Sequence, residues 1–363
     1  MSTSPREVVL GAYEAFNRDG VDAFEQFLAP EVIWQERARS VALNRVSREE
    51  VLARMRALPG WRDVVMEPQD VVDAHGRVIA VVRERPRPGA TDAPDERIRA
   101  HVWAIEGGRA ARLEIYRRRS DALWSVAGYV RLLEQMHAYL RPRTYVEIGV
   151  AKGHSAARAL PDTRVVGIDP APDLFDPAIA SRIDVFRNTS DDYFARHDLS
   201  EALGGRPVDM AFIDGYHMFE YALRDFMNLE RYCSERSVIL AHDCYPINRE
   251  TASRERTTAA WSGDVWKLVL CLREIRKDLE VHVIDVRPTG LAIITGLDPG
   301  STGLADRYGE ILSRYIPMSY DVLEDAKAER LARVENDWTA IKELLPEPFQ
   351  GAPEAVASGE GVP

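Results

Sequence analysis

Apolar positions along the chain follow two different rhythms, and the change comes near residue 143. Before it, Val8, Val9, Tyr13 and Phe16, then Phe24, Phe27 and Leu28, recur at helical spacing, which predicts a helical start that Pro30 ends. Val32-Ile33-Trp34 reads as a short strand. A second helix is predicted over 47–58: Ser47 with Glu50 three residues later has capping-box spacing, and Leu52, Met55 and Leu58 give one apolar side. Strand-like runs follow at 69–74, 76–85, 97–106 and 109–117, separated by Gly76, the Pro/Gly-rich stretch 86–94 and Gly107-Gly108. Helices first and a curved antiparallel sheet afterwards describe an α+β domain over 1–118.

A helical stretch at 119–141, with Leu123, Val126, Val130, Leu133, Met136 and Leu140 at helical spacing and Pro142 after it, connects this domain to a second one. Over 142–300 strand candidates at 145–148, 165–168, 183–186, 210–213 and 238–241 alternate with helical segments at 153–160, 191–203 and 217–232. That alternation predicts an α/β fold, a parallel sheet with helices on both faces. The runs 280–286 and 290–295 are joined only by Arg287-Pro288-Thr289, a connection short enough to force an antiparallel hairpin. A helix near 320–344 is expected within a C-terminal segment 301–345, and the Pro-, Gly- and Ala-rich tail 346–363 is expected to be disordered.

Composition narrows the function classes. A length of 363 residues suggests about two domains, and 45% hydrophobic with 29% charged residues is ordinary for a soluble globular protein. A formal net charge of −11 makes nucleic acid a poor partner, and Arg117-Arg118-Arg119 reads as a solvated face. No apolar run approaches the ~20 residues of a membrane span. The start MSTSPREVVL lacks the apolar stretch of a secretion signal, so a cytoplasmic location is expected. Three cysteines without a C-x-x-C pair, Cys233, Cys244 and Cys271, argue against a disulfide framework or structural zinc.

The most informative stretch is Val146-Glu147-Ile148-Gly149-Val150-Ala151-Lys152-Gly153-His154-Ser155, a strand end with a carboxylate followed by a Gly-x-x-x-Gly turn into a helix. Glycines there let backbone approach a ligand closely. Asp169 ends the next strand 22 residues after Glu147, where a carboxylate is placed to accept ribose hydroxyls. The turn lacks the G-x-G-x-x-G of dinucleotide-binding proteins, and Glu147 would repel a pyrophosphate. A cationic cofactor, S-adenosylmethionine, suits it better, with Glu147, Gly149, Gly153, Asp169, Ser190 and Asp214 as its contacts. Ser190 or Asp191 as a plain helix cap is an equal reading.

Asp214 and His217 end the fourth strand, and His242-Asp243 end the fifth, so both pairs fall at the carboxyl edge beside the cofactor crevice. His217 is the expected general base for a hydroxyl, since neutral imidazole has a suitable pKa; Asp214 and His242 are the other catalytic candidates. His242 can alternatively serve as base, with His217 a ligand. A polar loop from 244 to 260, with Arg249, Arg254 and Arg256, has the length of a lid. Asp264 reads as the cap of a helix over 264–277.

With these residues in view, 143–298 resembles a Rossmann-like class I methyltransferase of the subgroup related to macrolide sugar O-methyltransferases and cephalosporin hydroxylase. The stretches that carry the resemblance are YVEIGVAKGHSA, VVGIDPAP, MAFIDGYHMFEYALRDFMNLER, ILAHDC and WSGDVWKL. It implies O-methylation of a hydroxylated small molecule, with His217 in the position of the catalytic histidine. It also implies a divalent metal, magnesium or manganese, on Asp214, His242 and Asp243. His242 stands where the relatives carry an acid, and an imidazole ligand weakens the case for magnesium.

Residues 6–118 resemble the nuclear-transport-factor-2-like cone fold of polyketide cyclases (SnoaL-like) and ketosteroid isomerases. Tyr13-Glu14-Ala15-Phe16-Asn17, Leu28-Ala29-Pro30-Glu31-Val32-Ile33-Trp34 and the terminal strands carry the likeness. Such a cone holds a pocket, which Tyr13, Trp34, Glu36, His101, Trp103 and Tyr116 would line. No acid–base pair stands out among them, so a dimerising or substrate-covering role is expected, in a homo-oligomer. Cyclisation or isomerisation there is the alternative.

Overall fold

A computed structural model describes residues 4–36, 45–74, 77–91, 94–117, 119, 128–174, 180–258 and 261–349. The chain divides into two compact units, Met1–Arg131 and Leu132–Pro363. Gly76, Arg118, Leu123, Val126 and most of the tail lie outside the described residues.

In the first unit the helix Pro5–Asp19 starts from a capping box, Ser4 with Glu7, and buries Val8, Val9, Ala12, Tyr13 and Phe16. A 3-10 turn, Val21–Phe27, leads into β1 (Leu28–Glu36). Pro30 therefore lies inside a strand rather than ending a helix. It has no N–H to donate, and β1 slips register against β6 between Leu28 and Ile33. After β2 (Arg45–Ser47), Ser47 caps the helix Arg48–Ala57 by accepting from Glu50 N. Strands β3 (Val64–Ala74), β4 (Arg77–Pro86), β5 (Arg97–Glu106) and β6 (Arg109–Tyr116) follow. β3 starts earlier than its sequence pattern suggested, because Pro68 sits at a register shift instead of interrupting the strand. The sheet order is β2-β1-β6-β5-β4-β3, antiparallel except for the parallel β1–β6 pair. Tyr13, Phe16, Phe24, Trp61 and Trp103 fill the space between helices and sheet, largely edge to face.

The helix Tyr129–Leu140 runs across the point in the chain where the units divide, and the second unit builds an eight-stranded sheet. Its strands are β7 (Thr144–Ile148), β8 (Arg164–Ile168), β9 (Ile183–Phe186), β10 (Val208–Ile213), β11 (Cys233–His242), β12 (Glu280–Ile284), β13 (Leu291–Thr295) and β14 (Arg333–Val334). The order is β14-β12-β13-β11-β10-β7-β8-β9. β7 to β11 run parallel, β13 pairs antiparallel with both β11 and β12, and the expected hairpin is present. β7 pairs with β8 on one side and β10 on the other, so strand order reverses at β7 and opens a crevice at the carboxyl ends. Ile148 lies beside Ile168 and Ile213, and Ile213 beside Ala241, which brings the ends of β7, β8, β10 and β11 level.

Two expected helices are absent. Over 153–160 there are turns and one 3-10 turn, Ala156–Arg158; Gly149, Ala151 and Gly153 all have positive φ, the left-handed region that a right-handed α-helix excludes. Over 320–344 the chain forms three short helices, Asp321–Glu324, Lys327–Arg330 and Trp338–Lys342, with β14 between the last two. No described helix is long and apolar enough to cross a membrane. All three cysteines are buried free thiols.

Candidate active site

The turn after β7 is locked to both neighbours. Gly149 N donates to Ile168 O at 2.9 Å, and Asp214 N donates to Ile148 O at 2.8 Å. Gly149 has φ +87°, and a Cβ there would stand 2.1 Å from the carbonyl oxygen of Asp214. Asp169 holds the turn from the other side, accepting from Ala151 N at 2.7 Å and Ala171 N at 2.8 Å. Glu147 is fully buried and accepts from Tyr145 Oη at 2.7 Å and Ser155 Oγ at 2.6 Å. Burial, with the charge of Asp214 adding to it, pushes the Glu147 carboxyl up to about 8 against the pull of those two hydroxyls. Glu147, Gly149, Gly153 and Asp169 thus surround one turn. Ser155 and Tyr145 belong with them and were missed; the serine two residues past Gly153 was the available signal. Ser190 is the first residue of the helix Ser190–Arg196, but its cap is Thr189, so neither Ser190 nor Asp191 caps it. Ser190 instead hydrogen-bonds the buried Asp225, whose carboxyl burial raises to about 7.

Across the crevice, two carboxylates and two imidazoles interlock. His217 Nδ1 lies 2.9 Å from Asp243 Oδ2 and 3.2 Å from the Trp261 carbonyl oxygen. Both partners can only accept, so Nδ1 carries the hydrogen, and in the neutral ring Nε2 holds the lone pair. That Nε2 is 3.8 Å from Asp214 Oδ1. His242 Nδ1 is 3.1 Å from the same Asp214 oxygen and 3.5 Å from Asp243 Oδ2. Asp243, at φ +63°, accepts a hydrogen bond from the Thr289 hydroxyl, which the β12–β13 connection delivers. Burial opposes charge on His217, but Asp243 and then Asp214 outweigh it and raise its pKa. His242 is raised to about 10 by the same carboxylates against its burial, and Asp243 is held far below the usual carboxylate range. Donor atoms of Asp214, His217 and Asp243 gather within 4.8 Å of one another, whereas His242 stands outside this trio, bonded to both carboxylates.

The loop between 244 and 264 fastens this cluster. Trp261 stacks on His217, ring centroids 5.2 Å apart and planes 8° from parallel, and its Nε1 donates to Ser253 O at 2.6 Å. Gly263, at φ +56°, passes so close to the His217 carbonyl that a Cβ would lie 1.7 Å from its oxygen. Asp264 does not cap its own helix, Trp266–Ile275, whose cap is Val265. It accepts from Phe219 N at 2.7 Å, from Arg254 Nη1 at 2.6 Å and from Lys267 Nζ at 2.9 Å. The loop is therefore pinned to the His217 turn by hydrogen bonds, with 259–260 outside the described residues.

Stability should follow these shifted groups. Glu147 and Asp225 are raised from ordinary carboxylate values to about 8 and about 7, and His242 from 6.5 to about 10. In each case the folded chain holds a proton that the unfolded chain has released, so stability falls as pH rises through the folded value. Urea unfolding of metal-free protein should show stability declining between about pH 5 and 10; a constant or rising profile would mean that these groups titrate normally.

The first unit also contains a polar chain. Trp103 Nε1 donates to Tyr13 Oη at 3.0 Å, Tyr13 Oη and His101 Nδ1 share a hydrogen bond at 2.9 Å, and His101 Nε2 faces Glu84 Oε1 at 3.4 Å. Arg97 closes the chain on Glu84 at 2.6 Å. An acid–base pair therefore exists, contrary to expectation; Glu84 was missed because its partners lie on another strand. Tyr13, Glu84, His101 and Trp103 are all at most 1% exposed. Trp34 packs on Trp61 at 4.9 Å, Tyr116 is buried, and the Glu36 side chain lies outside the described residues.

Comparison with known proteins agrees with this division. Residues 146–244 match the methyltransferase domain family, and residues 9–113 match the SnoaL-like domain family. No curated protein matches the chain. Among solved structures, the O-methyltransferase TomG of Streptomyces achromogenes, involved in tomaymycin synthesis and solved with S-adenosylmethionine, is 18% identical. That match covers 46% of this chain and 78% of TomG, with a TM-score of 0.35. An NTF2-like protein of unknown function from Burkholderia pseudomallei is 22% identical over 35% of this chain and 100% of its own, with a TM-score of 0.27. A polyketide cyclase-like protein of Pseudomonas putida is 20% identical over 35% and 100%, with a TM-score of 0.26. The chain joins a SnoaL-like domain to a methyltransferase domain.

Proposed function

We propose that the second unit transfers a methyl group from S-adenosylmethionine to a hydroxyl oxygen of a small molecule, with His217 as general base. The observation that carries this reading is the pair of acceptors, Asp243 and the Trp261 carbonyl, on His217 Nδ1. They fix the tautomer that presents Nε2 as the proton acceptor, the arrangement by which a carboxylate orients a catalytic imidazole. Asp243 also stabilises the imidazolium formed when the hydroxyl proton arrives. The turn at 149–153 with Glu147 and Asp169 suits a cofactor that is cationic at one end and carries ribose hydroxyls at the other, the cation drawing off the proton that buried Glu147 holds in the free chain. Bound there, S-adenosylmethionine supplies an electrophilic methyl group on a sulfonium sulfur.

Asp214, His217 and Asp243 offer a divalent cation two carboxylates and one imidazole, a mixed donor set that suits manganese better than magnesium. A cation on Nε2 would take the lone pair that accepts the proton, so His217 is either the base or a ligand, and in the second case the base role passes to His242. A cation there would act as a Lewis acid toward the acceptor oxygen. The enclosed Glu84–His101–Tyr13 chain favours a structural role for the first unit over a second activity.

Calorimetric titration of S-adenosylmethionine into the full chain, with EDTA and then with manganese, tests the assignment. Binding in the micromolar range is expected under both conditions, with a separate metal event only in the second. No cofactor binding in either would overturn the reading.

A further inference from the structure

The methyl-transfer reading leaves the acceptor unnamed, and the rim of the site narrows its class. Among the described residues of the second unit, Tyr216 and Ile247 are the large hydrophobic side chains left exposed, at 60% and 54%. Scattered apolar residues are ordinary on a protein surface. Both follow adjacent strands at the carboxyl edge of the sheet: Tyr216, its ring against Tyr221 at 4.8 Å, directly precedes His217 on the loop leaving β10, and Ile247 follows Asp243 by four residues on the loop leaving β11.

Two of the three loop guanidiniums are matched by carboxylates within the chain, and the third, Arg256, lies over the Trp261 ring at 5.9 Å. Arg249 is paired with Asp321 and Glu324, and Arg254 with Glu220 and Asp264. Three guanidiniums against four carboxylates leave no net positive charge to cradle an anionic acceptor. On the inner side Trp261, stacked on His217, adds another aromatic wall.

We propose that the acceptor is a neutral aromatic hydroxyl compound, its ring held by Tyr216 and Ile247 at the rim and its hydroxyl directed to His217 Nε2. This rests on the methyl-transfer reading and departs from the sugar acceptors that the sequence resemblance brings to mind. The chemistry agrees: a phenol ionises near 10, an aliphatic hydroxyl closer to water at ~15.7, so imidazole meets a far smaller mismatch with the phenol. The phenol proton passes to Nε2, and an oxygen electron pair forms the bond to the methyl carbon. The electrons of the broken carbon–sulfur bond stay on sulfur, and the positive charge of the sulfonium ends on the imidazolium.

The test is equilibrium titration of naphthol, and in parallel of methyl glucoside, into the full chain loaded with S-adenosylhomocysteine. Naphthol should bind and the glucoside should not, and Tyr216→Ala and Ile247→Ser should each weaken naphthol about three- to tenfold. Absence of naphthol binding, binding of the glucoside instead, or wild-type naphthol affinity in both variants overturns the proposal. Titration of S-adenosylhomocysteine alone separates the two levels. If it fails to bind, the methyl-transfer reading falls; if it binds while naphthol does not, only the acceptor class falls.

Discussion

Replacing His217 with alanine should lower methyl transfer by about 10²–10⁴-fold, the range expected for loss of a general base. Cofactor affinity should be retained. The separation is expected because His217 touches Asp243, Asp214 and Trp261, while the cofactor turn is held by Gly149, Asp169 and the Glu147–Ser155 bond. The fold should survive, since Asp243 keeps Thr289 and His242 as partners. S-adenosylhomocysteine formation at saturating cofactor, with any acceptor the unaltered protein methylates, measures the first effect, and calorimetry the second. Full turnover in the variant would move the base elsewhere, with His242 next in line. Lost cofactor affinity would place His217 in the cofactor wall instead.

Gly149→Ala should cost more than activity. The added Cβ meets the Asp214 carbonyl oxygen at 2.1 Å and its carbon at 2.5 Å, and φ at +87° already disfavours a side chain. Both obstacles are backbone, so no rotamer change can relieve them, and β7 must shift against β10. A loss of about 2–4 kcal/mol is expected from strain and displacement together. It should appear as a melting temperature several degrees lower, with cofactor affinity reduced at least tenfold. Gly204→Ala is the internal control: its φ is +65° but nothing lies within 4 Å of the new Cβ, so only the smaller backbone cost should remain and cofactor binding should persist. Equal effects at both positions would mean that the Asp214 contact does not matter.

The sheet of the second unit was legible because β7, β8 and β10 are short, largely apolar and buried runs, with a carboxylate at the end: Glu147 within β7, and Asp169 and Asp214 directly after β8 and β10. Asp214, His217, His242 and Asp243 could be found for the same reason: each follows or ends such a run. Other parts were hidden by physics that a linear pattern does not carry. The 153–160 segment has helix-forming alanines, yet three left-handed residues upstream decide its course. Thr289 reaches Asp243 and Trp261 reaches His217 across 46 and 44 residues, contacts created by the hairpin and the loop rather than by spacing. Pro30 looked like a break, and the strand over 69–74 was expected to start after Pro68, but both prolines lie at register shifts inside strands. Glu84 joins His101 only because β4 and β5 pair.

The eight-stranded sheet ends in β9, four residues long, on one side and β14, two residues long, on the other. An open sheet invites self-association wherever a long edge presents unpaired backbone groups to another chain. β14 covers the edge of β12 through Arg333 and Val334, and Arg333 ties itself to Asp285 at 2.7 Å. A cut upstream of residue 333 would bare β12, whose run of valine and isoleucine is a strong template for intermolecular pairing. The outermost strand is a gatekeeper: it adds little to the core, and its removal should make the chain prone to aggregate.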